Sequence, residues 1–190
     1  NANAKGFALR MGPGAPIIGA GGFSAGAGHG GRGGNGAGGG AGIGGVTYGR
    51  TNGPVQPGSG GGSYPSPGYY GFAGDGGGAV RIDARGTVSI QGSVTANGGN
   101  ARYNTQYGAP GSGGGIYITC VGFSGSTSAV IQADGGTTAS SNLNTGAGGG
   151  GRIAVWRNVP EDTRELALAD DPTALASLVV GTVFFAAIGV

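Results

Sequence analysis

The chain has 190 residues, of which 51 are glycine, while charged side chains make up only 9%. One cysteine cannot form an internal disulfide, and nine prolines without a sustained glycine period exclude a collagen helix. Ordinary disorder requires high charge and low hydrophobicity, whereas 37% of this chain is hydrophobic. The composition therefore does not make the chain an unfolded linker.

Charge is unevenly spread along the chain. Residues 1–158 carry nine basic and three acidic side chains, whereas residues 159–190 carry one basic and five acidic side chains. This asymmetry fits a basic body that meets the acidic segment of a neighbouring copy, and it also fits simple solvated surface. The start of the chain, Asn1 to Ala4, lacks the apolar segment of a secretory signal, so an exported protein would be present here in mature form.

The region 26–78 is dominated by glycine in a regular phase. Six glycines, from Gly30 to Gly45, follow one another at intervals of three residues. Three residues per turn is the period of the polyproline II helix, which leaves its amides free to bond to neighbouring segments. Since glycine has no Cβ, such segments can pack closely, and we expect either a packed polyglycine II-like segment or a flexible linker.

The region 79–158 contains an internal repeat of short apolar runs. Val80, Ile116 and Ile153 each follow a run of glycines and are 36 and 37 residues apart, and Val94 and Ile131 are again 37 apart. A fixed spacing of this size predicts stacked structural units. We therefore expect an all-β fold, either a glycine-rich β-solenoid or a small β-sandwich, with polyglycine II-like segments and a C-terminal hydrophobic strand.

Apolar and polar residues alternate within each repeat, as in half-buried strands. Ile116, Ile118 and Cys120 share one face, so Cys120 is expected to be a small buried apolar residue. Asn97-Gly98 and Asp134-Gly135 are typical of turns, because asparagine, aspartate and glycine tolerate positive φ.

The ordered motifs resemble a glycine-rich repeat module of bacterial secreted and cell-surface proteins. The resemblance covers about residues 26–157 and rests on a glycine block, two strand units that end in Ala-Asn-Gly-Gly (96–99) and Ala-Asp-Gly-Gly (133–136), and the closing run Gly-Gly-Arg-Ile-Ala-Val-Trp (150–156). It implies a surface location and a structural or adhesive role, and it supplies no catalytic residues. The chain departs from the module in having a single copy and an unrelated tail.

The predicted organisation is a glycine-rich β domain over 1–158, followed by an acidic neck and a hydrophobic assembly tail over 159–190. Residues 173–190 contain no charge and are rich in β-branched and aromatic residues. Three placements remain open: packing into a neighbouring subunit by strand addition, packing into the chain's own core, or a short membrane segment. The candidate assembly residues are Asp170, Asp171, Leu178, Val180, Val183, Phe184, Phe185, Ile188 and Val190.

Catalytic and metal-binding patterns are not evident in the sequence. His29 is the only histidine, the aspartates of the body are isolated, and a single Gly-Gly-Arg32-Gly-Gly is weak evidence for RNA binding. We therefore expect no enzyme activity, no cofactor, no metal and no nucleic-acid partner. The predicted function is a structural subunit of an extracellular or cell-surface filament that polymerises with itself.

The alternative function is an adhesin-type module that recognises glycans or other surfaces. Its candidate residues are Tyr64, Tyr69 and Tyr70, which cluster among prolines and glycines. Flat aromatic rings can stack on sugars, but they can equally cap the core of a repeat protein.

Overall fold

The computed structural model describes residues 2–21, 23–64, 73–102, 107–138, 144–158 and 183–186. These residues are rich in strands and contain no helix, which agrees with the expected all-β class. The strands are β1 Ala2–Asn3, β2 Ala79–Asp83, β3 Thr87–Ile90, β4 Ser93–Thr95, β5 Gly115–Thr119, β6 Gly122–Gly125, β7 Val130–Gln132, β8 Arg152–Trp156 and β9 Val183–Ala186.

Equivalent strands of successive repeats pair in parallel. Val80 of β2 lies opposite Ile116 of β5, and Ile116 lies opposite Ile153 of β8. Val94 of β4 lies opposite Ile131 of β7 in the same way. The sequence spacing of 36 and 37 residues therefore identifies residues that are neighbours across strands, as predicted. The sheets have the orders β1-β4-β7, β2-β5-β8-β9 and β3-β6.

One hydrophobic core joins the three sheets. Ile116, Ile118 and Cys120 are fully buried within it, which confirms the predicted face of β5 and the apolar role of Cys120. Val80 and Ile82 of β2 pack against this core, while Arg81 and Asp83, which alternate with them, are exposed. The remaining buried members are Val88, Ile90, Val94, Ala96, Ala133 and Val155.

The second face of β5 is buried too, so the prediction that this strand is half-buried was wrong. Tyr117 is 3% exposed and Thr119 is 5% exposed. The cause is the glycine-region segment around Pro54, which is itself buried and lies over the strand. Trp156 of the neighbouring strand β8 anchors this cover, since its indole Nε1 donates a 2.7 Å hydrogen bond to the carbonyl of Asn52.

Glycine-rich segments outside the strands pack against one another through backbone hydrogen bonds. Segment 108–114 lies at the centre and is buried throughout. The amides of Ala109 and Ser112 donate to one neighbouring segment, at Gly62 and Ser59, and those of Gly111 and Gly114 donate to another, at Gly99 and Ala96. Donors three residues apart therefore bond to the same neighbouring segment, as expected for a backbone that has three residues per turn. Backbone hydrogen bonds also join 108–114 to further segments, at Ala27, Gly74, Gly77, Gly136 and Gly149.

The glycine run from Gly30 to Gly45 is packed, so the linker alternative was wrong for it. Gly33 donates to Gly45, and Gly36 donates to Gly42, because the run folds back on itself. The reversal lies near Gly38 and Gly40, whose φ angles of 97° and 71° favour glycine. The unbroken three-residue phase therefore spans two antiparallel segments rather than one.

Asn97-Gly98 and Asp134-Gly135 do not form turns, which corrects the prediction. Both pairs lie in extended glycine-rich segments, and neither glycine has a positive φ. Instead, the side-chain oxygen Oδ1 of Asn97 accepts a 2.8 Å hydrogen bond from the amide of Asp134. Asn100 Oδ1 likewise accepts from the amide of Thr137, at 2.9 Å. These side chains stack one repeat on the next.

Candidate assembly edge and polar groove

The described part of the tail is an antiparallel strand on the last repeat strand. Val183–Ala186 pairs with Ile153–Trp156, with Phe185 opposite Ala154 and Phe184 opposite Val155. Every other pairing between named strands is parallel. Strand β9 therefore covers the outer edge of β8 and supplies partners for backbone groups that would otherwise be unpaired. These four residues pair with the chain's own sheet through their backbone, and the placement of residues 173–190 in the chain's own core, a neighbouring subunit or a membrane stays a prediction.

The other predicted assembly residues lie outside the described residues. They are Asp170, Asp171, Leu178, Val180, Ile188 and Val190.

In the described ranges, no helix has the length and apolar character needed to cross a membrane.

Strands at both ends of the stack occupy sheet edges. Among the described strands, β2 and β3 are outermost on the side of the first repeat, and β6 and β7 are outermost on the side of the second. Such edges present backbone donors and acceptors to a further strand. Only the β8 edge of the repeat stack carries an additional antiparallel strand among these elements.

The β8 edge is held in place by contacts from the glycine region. In addition to the indole bond of Trp156, Nε of Arg152 donates a 3.3 Å hydrogen bond to the carbonyl of Tyr48. The Tyr48 hydroxyl donates in turn to the carbonyl of Pro57 and accepts a 2.9 Å bond from the hydroxyl of Ser59. Burial raises the pKa of Tyr48, while the bond from Ser59 opposes that shift. These hydrogen bonds fix strand β8 against the glycine region.

His29 is buried beside this brace. It is 0% exposed, its ring centroid lies 4.6 Å from that of Tyr48, and neither ring nitrogen has a hydrogen-bond partner. Burial and, to a smaller extent, the positive charge of Arg152 together lower the pKa of His29 to about 4, against an opposing effect of the backbone at Gly113 and Gly114. The ring is therefore neutral at neutral pH and acts as a packing group.

A polar groove of about 670 Å³ runs across the two stacked repeats. Asp75 and Asp134 contribute carboxylates, and Lys5 and Arg102 contribute positive charges. Oδ1 of Asp134 is buried without a hydrogen-bond partner, although Oδ2 accepts from Nε2 of Gln132. The remaining polar side chains of the lining are Asn97, Asn100 and Thr137. The sequence analysis described the aspartates as isolated and did not predict this groove. The signal was the 37-residue repeat, which places Asn97 and Asp134 at equivalent positions of neighbouring repeats.

The predicted aromatic surface is only partly placed. Tyr64 is partly buried, and its ring lies 5.6 Å from that of Tyr107, centroid to centroid. Tyr69 and Tyr70 lie outside the described residues. Tyr64 does not line the polar groove. Of the three predicted tyrosines, the structure thus places Tyr64 alone, and it places it away from the groove.

The described ranges contain no cluster of three or more His, Cys, Asp or Glu side chains able to hold a metal ion. No family model, no curated protein and no solved structure matches this chain.

Proposed function

We propose that this chain is a structural, non-catalytic subunit of an extracellular or cell-surface filament or sheath. In this proposal the repeats wind as a β-solenoid whose glycine segments pack in a polyglycine II-like bundle. The three-residue spacing of the backbone donors in segment 108–114 supports the bundle. The resemblance to secreted glycine-rich modules supports the surface location.

The observation that carries the proposal is the pairing of the tail strand Val183–Ala186 with the last repeat strand. A strand that binds this edge in its own chain has the length and register to bind the same edge of a second copy. Head-to-tail contacts of this kind extend into filaments when successive copies do not close into a ring. The partner is another copy of this chain, joined head to tail.

Electron microscopy of the purified protein tests the proposal. Regular filaments of uniform width support it, and their width on isolated cell surfaces should match that of the purified material. Analytical ultracentrifugation of the same samples measures the number of chains in each particle. Protein that is exclusively monomeric across a wide concentration range would refute a polymeric role.

A second candidate function, glycan binding, is favoured by the polar groove. Amide, carboxylate and cationic side chains converge there, among them Asn97, Asp75 and Arg102. Sugar hydroxyls can both donate to such carboxylates and accept from such amides. This surface replaces the tyrosine cluster as the adhesive site in the alternative.

A glycan array tests this candidate. Binding by the wild type that is lost in Asp134→Asn and retained in Asp83→Asn would support it, because Asp83 lies outside the groove and bonds to Thr119 instead. Binding that is equal in all three proteins would exclude the groove.

A further inference from the structure

We propose that Val183–Ala186 is an exchangeable strand, which caps β8 of its own chain in the monomer and β8 of the next copy in the polymer. This inference rests on the proposed filament function and specifies the acceptor, its register and the competition that limits assembly. The acceptor is the outer edge of Ile153–Trp156.

The first argument is the length of the connection between the two paired strands. Antiparallel neighbours are usually joined by hairpin loops of about 2–5 residues, whereas residues 157–182 provide 26 residues between β8 and β9. At about 3.3 Å per residue, a chain of this length can span at most several tens of ångströms. The length of the connection therefore permits β9 to pair with the β8 edge of another copy as well as with its own.

The second argument is the chemistry of the strand itself. Val183, Phe184, Phe185 and Ala186 carry no charge, and their bonds to β8 are made by backbone groups in a four-residue register. An identical strand from another copy makes the same backbone bonds in the same register. Exchange therefore preserves the interactions of this strand, which is why swapping of identical elements has a low free-energy cost.

The third argument is the role of the strand as a terminator. The repeat strands β2, β5 and β8 stack in parallel, and an antiparallel strand ends that series. A tethered strand competes at an effective concentration of about millimolar. Monomers should therefore persist at low protein concentration, and refolding at high concentration should favour exchange.

Cysteine pairs across the register distinguish the two states. One variant carries Ile153→Cys, the other carries Ala186→Cys, and both carry Cys120→Ala, so that a thiol crosslink can form only between chains. Opposite residues of an antiparallel pair have Cβ atoms about 4.5–5.5 Å apart, within reach of a short thiol-reactive crosslinker. The two variants are unfolded, mixed and refolded together at high concentration, and also mixed after separate refolding at low concentration.

Co-refolding should crosslink up to about half of the Ile153→Cys chains to a partner, since exchanged strands in an equal mixture come from either variant. Separately refolded chains should give several-fold less product. The control replaces Ile153→Cys by Val130→Cys, which is exposed on another sheet and should give only background. Should the Ile153 variant fail to fold, Val155→Cys with Phe184→Cys reports on the same register.

Co-refolded mixtures at the level of the Val130 control would overturn the exchange. That result is separable from failure of the filament proposal. Filaments without crosslinks would show assembly by another surface, and crosslinked oligomers without filaments would show exchange that does not build a filament.

Discussion

Asn97 and Asp134 are joined across 37 residues of sequence by a 2.8 Å hydrogen bond from the Asp134 amide to Asn97 Oδ1. The Asn97 side-chain amide also donates to Oε1 of Gln132, at 3.2 Å. The side chain of Asn97 thus fixes how the first repeat aligns with the second.

Asn97→Ala should lower the free energy of unfolding by about 1–2 kcal/mol, because it removes these bonds and leaves a partly buried amide unpaired. Urea unfolding followed by circular dichroism measures the change. The matched control is Asn100→Ala, whose bond to Thr137 is exposed and should contribute less. Equal losses in the two variants would contradict the register role of Asn97.

At Gly114 two backbone segments approach each other very closely. A Cβ at this position would be 1.8 Å from the carbonyl oxygen of Gly78, which belongs to a backbone and cannot rotate away. Gly114→Ala should therefore destabilise the fold by about 3 kcal/mol or more, the upper end of the cost of overpacking. Thermal unfolding provides the measurement.

The control for that substitution is Gly39→Ala. A Cβ at Gly39 meets nothing within 4 Å, so its effect on stability should remain within about 0.5 kcal/mol. Similar melting temperatures for both variants would show that glycine is not required for backbone packing.

His29 should make stability depend on pH. Its pKa is lowered to about 4 in the folded chain, so the neutral ring is the form that the fold favours. This contribution is fully present above the unfolded pKa of about 6.5 and is lost as pH falls towards 4, by about 3 kcal/mol in total. The comparison of unfolding free energies between pH 7 and pH 4 measures it.

His29→Gln serves as the reference for that titration, because its amide does not ionise while carboxylates titrate in both proteins. The loss of stability on acidification should be smaller in the variant. Parallel pH profiles for the two proteins would mean that the burial of His29 does not perturb its ionisation.

Arg152→Gln should raise the pKa of His29, because it removes a nearby positive charge. NMR titration of the His29 ring measures this pKa in the wild type and in the variant.

The sequence predicted the stacked strands well, because the period of 36 and 37 residues and the alternation of Val80, Ile82, Ile116 and Ile118 are direct consequences of the pairing. It did not predict the burial of Tyr117, which depends on a distant segment around Pro54. The pattern of a half-buried strand contains no information on which segment covers its second face.

The polar groove was missed for a related reason. Asp75, Asp134 and Asn97 are far apart in the chain and are brought together only by the stacking of repeats. At Asn97-Gly98 and Asp134-Gly135 the local propensity favours turns. Tertiary hydrogen bonds between glycine-rich segments instead hold both pairs in extended conformation.

Assembly through the tail strand is tested most directly by replacing Phe184 and Phe185 together with proline. In an antiparallel ladder the amides of alternate residues face the neighbouring strand, so one of the two prolines removes a donor to β8. The control replaces both with valine, which keeps the backbone amides and a strong preference for strands. Electron microscopy should show filaments for the wild type and the valine variant and only monomers for the proline variant, whereas filaments of normal length from the proline variant would contradict assembly through this strand.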